Sequence, residues 1–368
     1  MSDAQTNMAA LPVSEAVKVL SGAYSSVIES GLPVWTMPSV MLWGPPGIGK
    51  SQGVRQIGEA IEKETKKRVV ITDVRLLLFN PVDLRGIPTA NEDKTLAVWL
   101  KPEIFKMDDS ADIVNILLLD EISAASMSVQ AAAYQITLDR KIGEHNLPEN
   151  CIVIAAGNRV TDHSVAVKMP RALANRLCHI EIESNMTSWK EWAVRSGIHE
   201  KVLGFLSFRP DRLMNPPDAD SELAFTTPRT WEMVSNILHH AGGDENSCYP
   251  LIAGCIGVGA TMEFRSWCKA FSGLPDIEGI FEGKAEAVPA NTDVMYAVMA
   301  SMVSKAKKYQ DDAFKIGNSV RYGVKFLPDF ATVLFRDYMA IGKDFSDSLI
   351  KIPEFSSWLT ANSKYFPF

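Results

Sequence analysis

The sequence has little that would place it among disulfide-stabilised, metal-binding or membrane-spanning proteins. Its 368 residues include five cysteines, which form no C-x-x-C pair and have no histidine at metal-ligand spacing. The longest nearly apolar run, residues 251–262, is shorter than the roughly 20 residues that a membrane span needs. We therefore expect no membrane span and a reducing compartment. Because the first residues do not resemble a signal peptide, we expect a cytoplasmic protein.

An excess of basic charge is also missing. The formal net charge of −7 argues against a general nucleic-acid or anionic-membrane binder, so a nucleic-acid partner is not expected. Internal repeats and low-complexity tracts are absent as well. The composition, 46% apolar and 22% charged, is that of an ordinary globular protein. The length is sufficient for two or three domains.

The most informative stretch matches every position of the phosphate-binding pattern G-x-x-x-x-G-K-[ST]. Its residues are the candidate nucleotide ligands: Gly44, Pro45, Pro46, Gly47, Ile48, Gly49, Lys50 and Ser51. Backbone amides of such a loop, together with the start of the next helix, bind phosphate oxygens. Lys50 is expected to reach the β- and γ-phosphates, and Ser51 to bind Mg²⁺. A strand predicted at 40–43 and a helix predicted at 52–63 supply the required context.

Strands and helices alternate around this loop. Apolar periodicity predicts helices at 13–30 and 128–138, and apolar runs predict strands at 68–74, 114–119 and 151–156. Such alternation predicts an α/β fold, a mostly parallel sheet with helices on both faces. The regular pattern is broken at residues 80–105, which are interpreted as an inserted loop or hairpin, and at residues 140–148, which are interpreted as a second, small hairpin. Without further context either could be structural decoration.

From about residue 186 the strand signals fade and helical patterns take over. Helical character is predicted at 189–195, 230–240 and 251–270, followed by apolar stripes at 294–303 and 330–339. The methionines of the first stripe indicate core or interface packing rather than a cofactor site. We expect three domains: a nucleotide-binding domain at 1–185, a helical lid at 186–272 and a helical C-terminal extension at 273–368.

An acidic pair follows the most apolar strand candidate. The run 116–119 is typical of a central strand covered on both faces, and it places Asp120 and Glu121 at its carboxyl end. Asp120 is expected to hold Mg²⁺ through water, and Glu121 is the candidate base for the attacking water. The alternative is a strand ending in two surface acids. The phosphate loop upstream argues against that alternative.

The phosphate loop and the segment ending at Glu121 resemble the Walker A and Walker B motifs of AAA+ ATPases. Residues 83–105, with Gly86 and a Pro-x-Ile-Phe ending, are similar to the insert in the second helix of the MoxR branch. Residues 139–148 resemble the hairpin before that branch's sensor 1. The resemblance covers roughly residues 35–235. It implies ATP and Mg²⁺ as cofactors, a P-loop core with a helical lid, and a homo-oligomeric ring, expected to be hexameric.

The resemblance also implies roles for four further residues. Asn158 matches sensor 1, whose amide orients the attacking water, although an asparagine can simply open a turn. Arg176 matches the arginine finger that reaches the neighbouring subunit's nucleotide, and Arg171 could share or take that role. Either arginine could instead be a salt-bridge partner. Arg229, after Pro228 at a helix start, looks like sensor 2, with a solvated arginine as the alternative.

The resulting hypothesis is an Mg²⁺-dependent ATPase, active between subunits of a ring, that remodels or activates a protein client. The metal motif D-x-S-x-S of von Willebrand A-type domains does not occur in this sequence, so such a partner would be encoded separately. A nucleotide-gated assembly scaffold with little turnover is one alternative. A DNA-associated motor is another, and the acidic net charge counts against it. Two features depart from the family pattern. The helix predicted before the phosphate loop carries no strong sequence motif of the family, and the segment after about Ser272 extends beyond the two domains that such ATPases usually contain.

Overall fold

The chain folds into two compact units. The computed structural model describes residues 8, 10–159, 162, 169, 174–216, 223–269, 273–285, 287–362 and 364. The units are Met1–Ser184 and Asn185–Phe368, and each is described by itself.

The first unit contains the strands. Those described are β1 (Ala10–Pro12), β2 (Val40–Trp43), β3 (Arg68–Arg75), β4 (Ile87–Ala90), β5 (Ala97–Leu100), β6 (Ile113–Asp120), β7 (Lys141–Ile142), β8 (His145–Asn146), β9 (Cys151–Gly157) and β10 (Cys178–Glu183). Six of them form one sheet in the order β1-β10-β2-β9-β6-β3, and all neighbouring pairs are parallel. The carboxyl ends of β2, β6 and β9 therefore lie at one edge of the sheet.

Helices cover both faces of this sheet, as the α/β prediction requires. The helices of the first unit are α1 (Val13–Glu29), α2 (Lys50–Thr65), α3 (Pro81–Arg85) and α4 (Met127–Asp139). Successive residues of β6 point to opposite faces. Ile116 and Leu118 join the core beneath α1 and α2, while Leu117 and Leu119 join the core beneath α4. Burial on both faces explains why this strand is an uninterrupted apolar run.

Both predicted insertions are present, and each contains an antiparallel hairpin. β4 pairs with β5, and β7 pairs with β8. A ring nitrogen of His145 hydrogen-bonds the carbonyl oxygen of Trp99 at 2.8 Å, which joins the second hairpin to the first. The backbone also approaches closely at Gly143, where a Cβ would lie 2.5 Å from the carbonyl oxygen of Arg85.

The other predicted elements of this unit are confirmed, with ends that differ by one or two residues. The prediction missed β1 and β10, which lie together at one side of the sheet. β1 has only three residues, too few for a periodic signal. β10 reads Cys-His-Ile-Glu-Ile-Glu, and its alternating acids resemble a surface segment.

The second unit is helical over its described residues. Its helices are α5 (Met186–Ser196), α6 (Glu200–Phe208), α7 (Pro228–His240), α8 (Tyr249–Ile256), α9 (Val258–Cys268), α10 (Ile277–Phe281), α11 (Thr292–Lys308), α12 (Ala313–Gly323), α13 (Pro328–Met339), α14 (Lys343–Ile350) and α15 (Pro353–Ala361). The helix predicted at 251–270 is interrupted at Gly257, which has a φ of 82°. A Cβ there would lie 2.8 Å from the carbonyl oxygen of Ala224, so the break requires glycine.

Helices from both sides of residue 272 share one hydrophobic core. Phe205 of α6, Trp267 of α9 and Met299 of α11 belong to the same cluster, and α6 packs against α11. The division of this unit into a lid and a C-terminal extension stays a prediction. Among the described helices, none combines the length and apolar composition of a membrane span.

Candidate active site

The phosphate loop leaves β2 at Trp43 and enters α2 at Lys50. Gly44 and Gly49 have φ angles of 155° and 106°, which favour glycine. At Gly44 a Cβ would also lie 2.8 Å from the carbonyl oxygen of Ile182. Gly49 is the N-cap of α2, and no side chain caps the helix. The first amides of α2 therefore face the loop without an internal acceptor, as an anion-binding helix start requires.

The remaining loop residues complete the turn. Gly47 also has a positive φ, 78°, and Pro46 stands beside it. Ile48 is 5% exposed and belongs to the core beneath α1 and α2. Its side chain therefore anchors the loop to the sheet, and only its backbone is left to contact a phosphate.

Lys50 is buried at the centre of the loop, 9% exposed. Its Nζ donates to the carbonyl oxygens of Gly44 at 2.5 Å and Pro45 at 3.1 Å, and to Oδ1 of Asn158 at 2.9 Å. The sequence separates Lys50 and Asn158 by 108 residues, and the structure brings them into direct contact. The predicted sensor residue thus lies at the phosphate loop.

The two predicted metal ligands also meet. Ser51 donates its hydroxyl hydrogen to Oδ2 of Asp120 at 2.6 Å, and Oδ1 of Asp120 accepts from the backbone N–H of Glu121 at 2.8 Å. A hydroxyl and one carboxylate are hard oxygen donors, and Mg²⁺ takes few protein ligands beside water and phosphate oxygens. Within the described residues, no group of three or more His, Cys, Asp or Glu side chains could hold a metal ion. The Ser51 and Asp120 pair therefore fits Mg²⁺ that arrives with a nucleotide.

Glu121 has an unusual backbone conformation. Its φ is 58°, one of four positive values among the described non-glycine residues. Its carbonyl oxygen accepts from the N–H of Ala124 at 3.0 Å, and the next N–H, that of Ile122, donates to Ala156 at 3.0 Å. These bonds hold a conformation that costs free energy, a feature that clusters at active sites. Among the described residues its carboxylate has no hydrogen-bond partner, so it can accept a hydrogen bond from a water molecule.

Asn158 is fixed from two sides. Its backbone N–H donates to Oγ of Ser123 at 2.9 Å, while its side-chain oxygen accepts from Lys50. Ser123 is 4% exposed and follows the acidic pair by two residues. The hydroxyl of Ser123 therefore couples the end of β9 to the turn after β6. The sequence analysis missed this residue, because a serine two positions after an acidic pair has no distinctive pattern.

Arg176 lies at the opposite edge of the sheet. β10 runs parallel to β2, and Cys178 pairs with Val40, the first residue of β2. Arg176 is exposed and lines a cavity of about 470 Å³ together with Ser39. Ser39 stands five residues before Gly44, which at about 3.3 Å per residue is roughly 16 Å along the strand. Arg176 is therefore separated from its own phosphate loop by the length of β2.

Two further arginines, Arg171 and Arg229, were predicted as site residues. Arg171 lies outside the described residues. Arg229 is the second residue of α7 in the second unit and is exposed. Thr227 and Thr230 form a capping box around it, which confirms the predicted helix start with Pro228 in the first turn. The roles of both arginines stay predictions.

The segment that contains these residues is similar to a known protein family. Residues 39–178 match the profile of the ATPase family associated with various cellular activities (AAA). A comparison with curated proteins found no match. Among solved structures, the chain is similar to a candidate ATPase from Cytophaga hutchinsonii, with 19% identity, 50% of this chain and 55% of that chain covered, and a TM-score of 0.31. The match thus spans about half of the Cytophaga protein.

Two further similar structures cover more of the chain. One is a mutant of RuvB from Thermotoga maritima, with 15% identity, 80% of this chain and 84% of that chain covered, and a TM-score of 0.37. The other is NtrX from Brucella abortus in complex with ADP, with 13% identity, 91% and 70% covered, and a TM-score of 0.37.

The family match spans the segment that contains Lys50, Ser51, Asp120, Glu121 and Asn158. The first four meet the chemical needs of nucleotide and Mg²⁺ binding and water activation, and Asn158 contacts the loop. Residues 39–178 therefore resemble an ATPase domain of the AAA family, and the residues of the phosphate loop and of the acidic pair fit the binding of ATP with Mg²⁺.

Proposed function

We propose that the protein is a ring-forming, MoxR-like ATPase whose active site is completed by Arg176 of a neighbouring subunit, in a ring of six. The observation that carries this proposal is the place of Arg176, at the edge of the sheet opposite the phosphate loop. An arginine side chain is much shorter than the roughly 16 Å of strand between them. A guanidinium at this position can serve a second subunit's nucleotide but not its own.

The proposed division of work follows from the contacts. Lys50 exchanges its loop carbonyl partners for phosphate oxygens, and Ser51 with Asp120 holds Mg²⁺. Glu121 accepts the proton of the attacking water, which the Asn158 amide orients. Arg176, with Arg171 as the alternative, neutralises charge that develops on the neighbour's γ-phosphate. Arg229 is proposed as the sensor of the second unit.

We further propose that ATP turnover remodels a protein client, through a separately encoded partner of von Willebrand A type. Support comes from the first hairpin, where Ile87, Leu96 and Leu100 are 62%, 68% and 58% exposed. Large apolar side chains grouped on a surface are typical of protein contacts rather than nucleic-acid contacts. The acidic net charge points the same way.

A mixing experiment tests the shared site. Lys50→Ala removes the charge that binds phosphate, and Arg176→Ala removes the finger, so each protein alone is expected to be inactive. Arg176→Ala should bind ATP almost normally and lose turnover by about 10³-fold or more. In a mixed ring, the phosphate loop of an Arg176→Ala subunit meets the intact finger of a Lys50→Ala subunit. We expect ATPase activity to return on mixing.

Arg55→Ala is the matched control, because Arg55 is an equally charged residue of the same unit, and its side chain is 53% exposed. It should hydrolyse ATP at the wild-type rate. Failure of activity to return, under conditions where labelled subunits exchange, would contradict the shared site. ATP-dependent assembly without turnover would favour the scaffold. Salt-dependent DNA binding would favour the DNA-associated motor.

A further inference from the structure

A chain of hydrogen bonds runs from the phosphate loop to the segment that bears Arg176. The indole N–H of Trp43, the residue before Gly44, donates to Nδ1 of His179 at 2.8 Å. The Nε2 of His179 bonds the carbonyl oxygen of Ala174 at 2.7 Å. The Trp43 and His179 rings also lie near each other, with centroids 6.0 Å apart and planes inclined by 18°.

The partners fix the protonation of this histidine. An indole nitrogen can only donate, so Nδ1 of His179 must be the acceptor and carries no proton. A backbone carbonyl can only accept, so Nε2 carries the proton and donates it. His179 is thus held as one neutral tautomer, with both nitrogens engaged. This arrangement specifies the orientation of the ring.

The same strand reaches the other side of the active site. Glu181, two residues after His179 and therefore on the same face of β10, pairs with the guanidinium of Arg159. Arg159 follows Asn158 directly, and its Nε donates to Asp162 at 2.9 Å. One face of β10 thus contacts the residue before the phosphate loop and the residue after the sensor asparagine.

We propose that His179 is a positioning residue that holds the Arg176 segment in place and ties its position to the phosphate loop of the same subunit. This inference rests on the proposed function, in which Arg176 acts on a neighbour's nucleotide. We assign His179 no direct contact with a nucleotide. It acts through the Ala174 carbonyl, two residues before Arg176, and through the Trp43 indole, one residue before Gly44.

The two ends of this chain are held unequally. Trp43 is a β2 residue with parallel partners on both sides, Gly157 of β9 and Glu181 of β10. Ala174 lies outside the strands, and its carbonyl is also the acceptor of a longer backbone bond, from Leu177 at 3.4 Å. Loss of the His179 bonds should therefore displace the Arg176 segment and leave the phosphate loop in place. The defect should appear in the site that the neighbour completes.

The first test separates binding from turnover. His179→Phe keeps a planar ring and removes both hydrogen bonds. We expect the ATP dissociation constant of the assembled protein to stay within about threefold of wild type, and kcat to fall about 10- to 100-fold, as small misplacements of catalytic groups do. His179→Gln can still donate to Ala174, and it should recover most of the lost kcat. A merely structural role would lower the unfolding midpoint without this rescue.

Mixing then assigns the defect to one side of the shared site. Lys50→Ala subunits supply an intact finger, so they should raise the activity per His179→Phe subunit. Arg176→Ala subunits supply an intact phosphate loop but no finger, so they should leave the activity per His179→Phe subunit unchanged. The opposite pattern would show that His179 acts on its own loop and would overturn the inference. Unchanged kcat in His179→Phe would also overturn it.

Two further measurements keep the test decisive. If His179→Phe fails to fold, Trp43→Phe breaks the same chain from the other end, and a smaller loss of kcat with the same mixing pattern is expected. The Lys50→Ala and Arg176→Ala mixture serves as the reference. If that mixture stays inactive while subunits exchange, the trans assignment itself fails, and the inference falls with it. If the mixture is active but His179 variants match wild type, only the inference falls.

Discussion

Gly157 is the position where a single methyl group should disturb the active site most specifically. It is the last residue of β9 and precedes Asn158. A Cβ at this position would lie 2.8 Å from Cε of Met41 and 2.9 Å from Oγ of Ser123. Both distances are shorter than carbon–carbon and carbon–oxygen contacts in packed interiors, so neighbouring groups must move.

The two neighbours differ in how they can respond. The Met41 methyl is the end of a flexible side chain, although it is fully buried. The Ser123 hydroxyl accepts the backbone N–H of Asn158 and cannot retreat without lengthening that bond. Overpacking of this kind costs about 1–3 kcal/mol, and a lengthened buried hydrogen bond adds to it. For Gly157→Ala we expect a loss near 2 kcal/mol, or roughly 4–8 °C in the unfolding midpoint of the first unit.

The expected effect on activity follows from the same displacement. Asn158 contacts Lys50 but does not form the phosphate loop, so ATP affinity should change less than about threefold while kcat falls at least about tenfold. Calorimetric titration with ATP and steady-state hydrolysis measure the two quantities. Gly22→Ala is the matched control. A Cβ at Gly22 has no neighbouring atom within 4 Å, and alanine should stabilise the helix α1 by up to ~1 kcal/mol relative to glycine. A normal midpoint and kcat in Gly157→Ala would refute the reasoning.

Two further outcomes are expected. Glu121→Gln should still bind ATP with Mg²⁺, because the side chain keeps its shape, and should hydrolyse ATP at least about 100-fold more slowly, because the base is lost. A coupled assay that gives turnover within about threefold of wild type would show that Glu121 is not the base. In the second unit, burial first, then His239 and Lys201, lower the pKa of His199 to about 4. The stability that the neutral ring contributes is therefore present above pH 6.5 and lost as the pH falls towards 4. His199→Asn keeps an N-cap acceptor for α6 but does not titrate. The unfolding midpoint, measured as a function of pH, should therefore fall more steeply for wild type than for His199→Asn.

The sequence predicted the phosphate loop and the acidic pair because their chemistry constrains consecutive residues. Each glycine, Lys50 and Ser51 has a fixed place in one short segment, and Asp120 and Glu121 lie at the end of one apolar strand and directly after it. The fold class was predictable for a related reason, since strands buried on both faces read as uninterrupted apolar runs. These signals are local, so a single sequence contains them.

The contacts that hold the site together could not be predicted, because each joins distant parts of the chain. Ser123 bonds Asn158 across 35 residues, and Trp43 bonds His179 across 136 residues. A serine, a tryptophan and a histidine at such separations form no pattern until the strand order is known. The sheet order places β10 beside β2, and only then do Trp43 and His179 become neighbours.

β10, one of the two strands that the sequence analysis missed, also contacts the segment that bears Arg176. β10 alternates polar and apolar residues, which is typical of a strand with one face in water. Yet Glu181 is only 8% exposed, and its carboxylate pairs with Arg159. The ring of His179 stacks against the indole of Trp43. Buried polar groups of this kind are stable only when every partner is present. The polar face of β10 therefore requires β2 and β9 to lie on the same side of β10, as they do in the sheet. Loss of one partner would leave a buried polar group unpaired on β10, and the resulting shift would displace the neighbouring segment that bears Arg176.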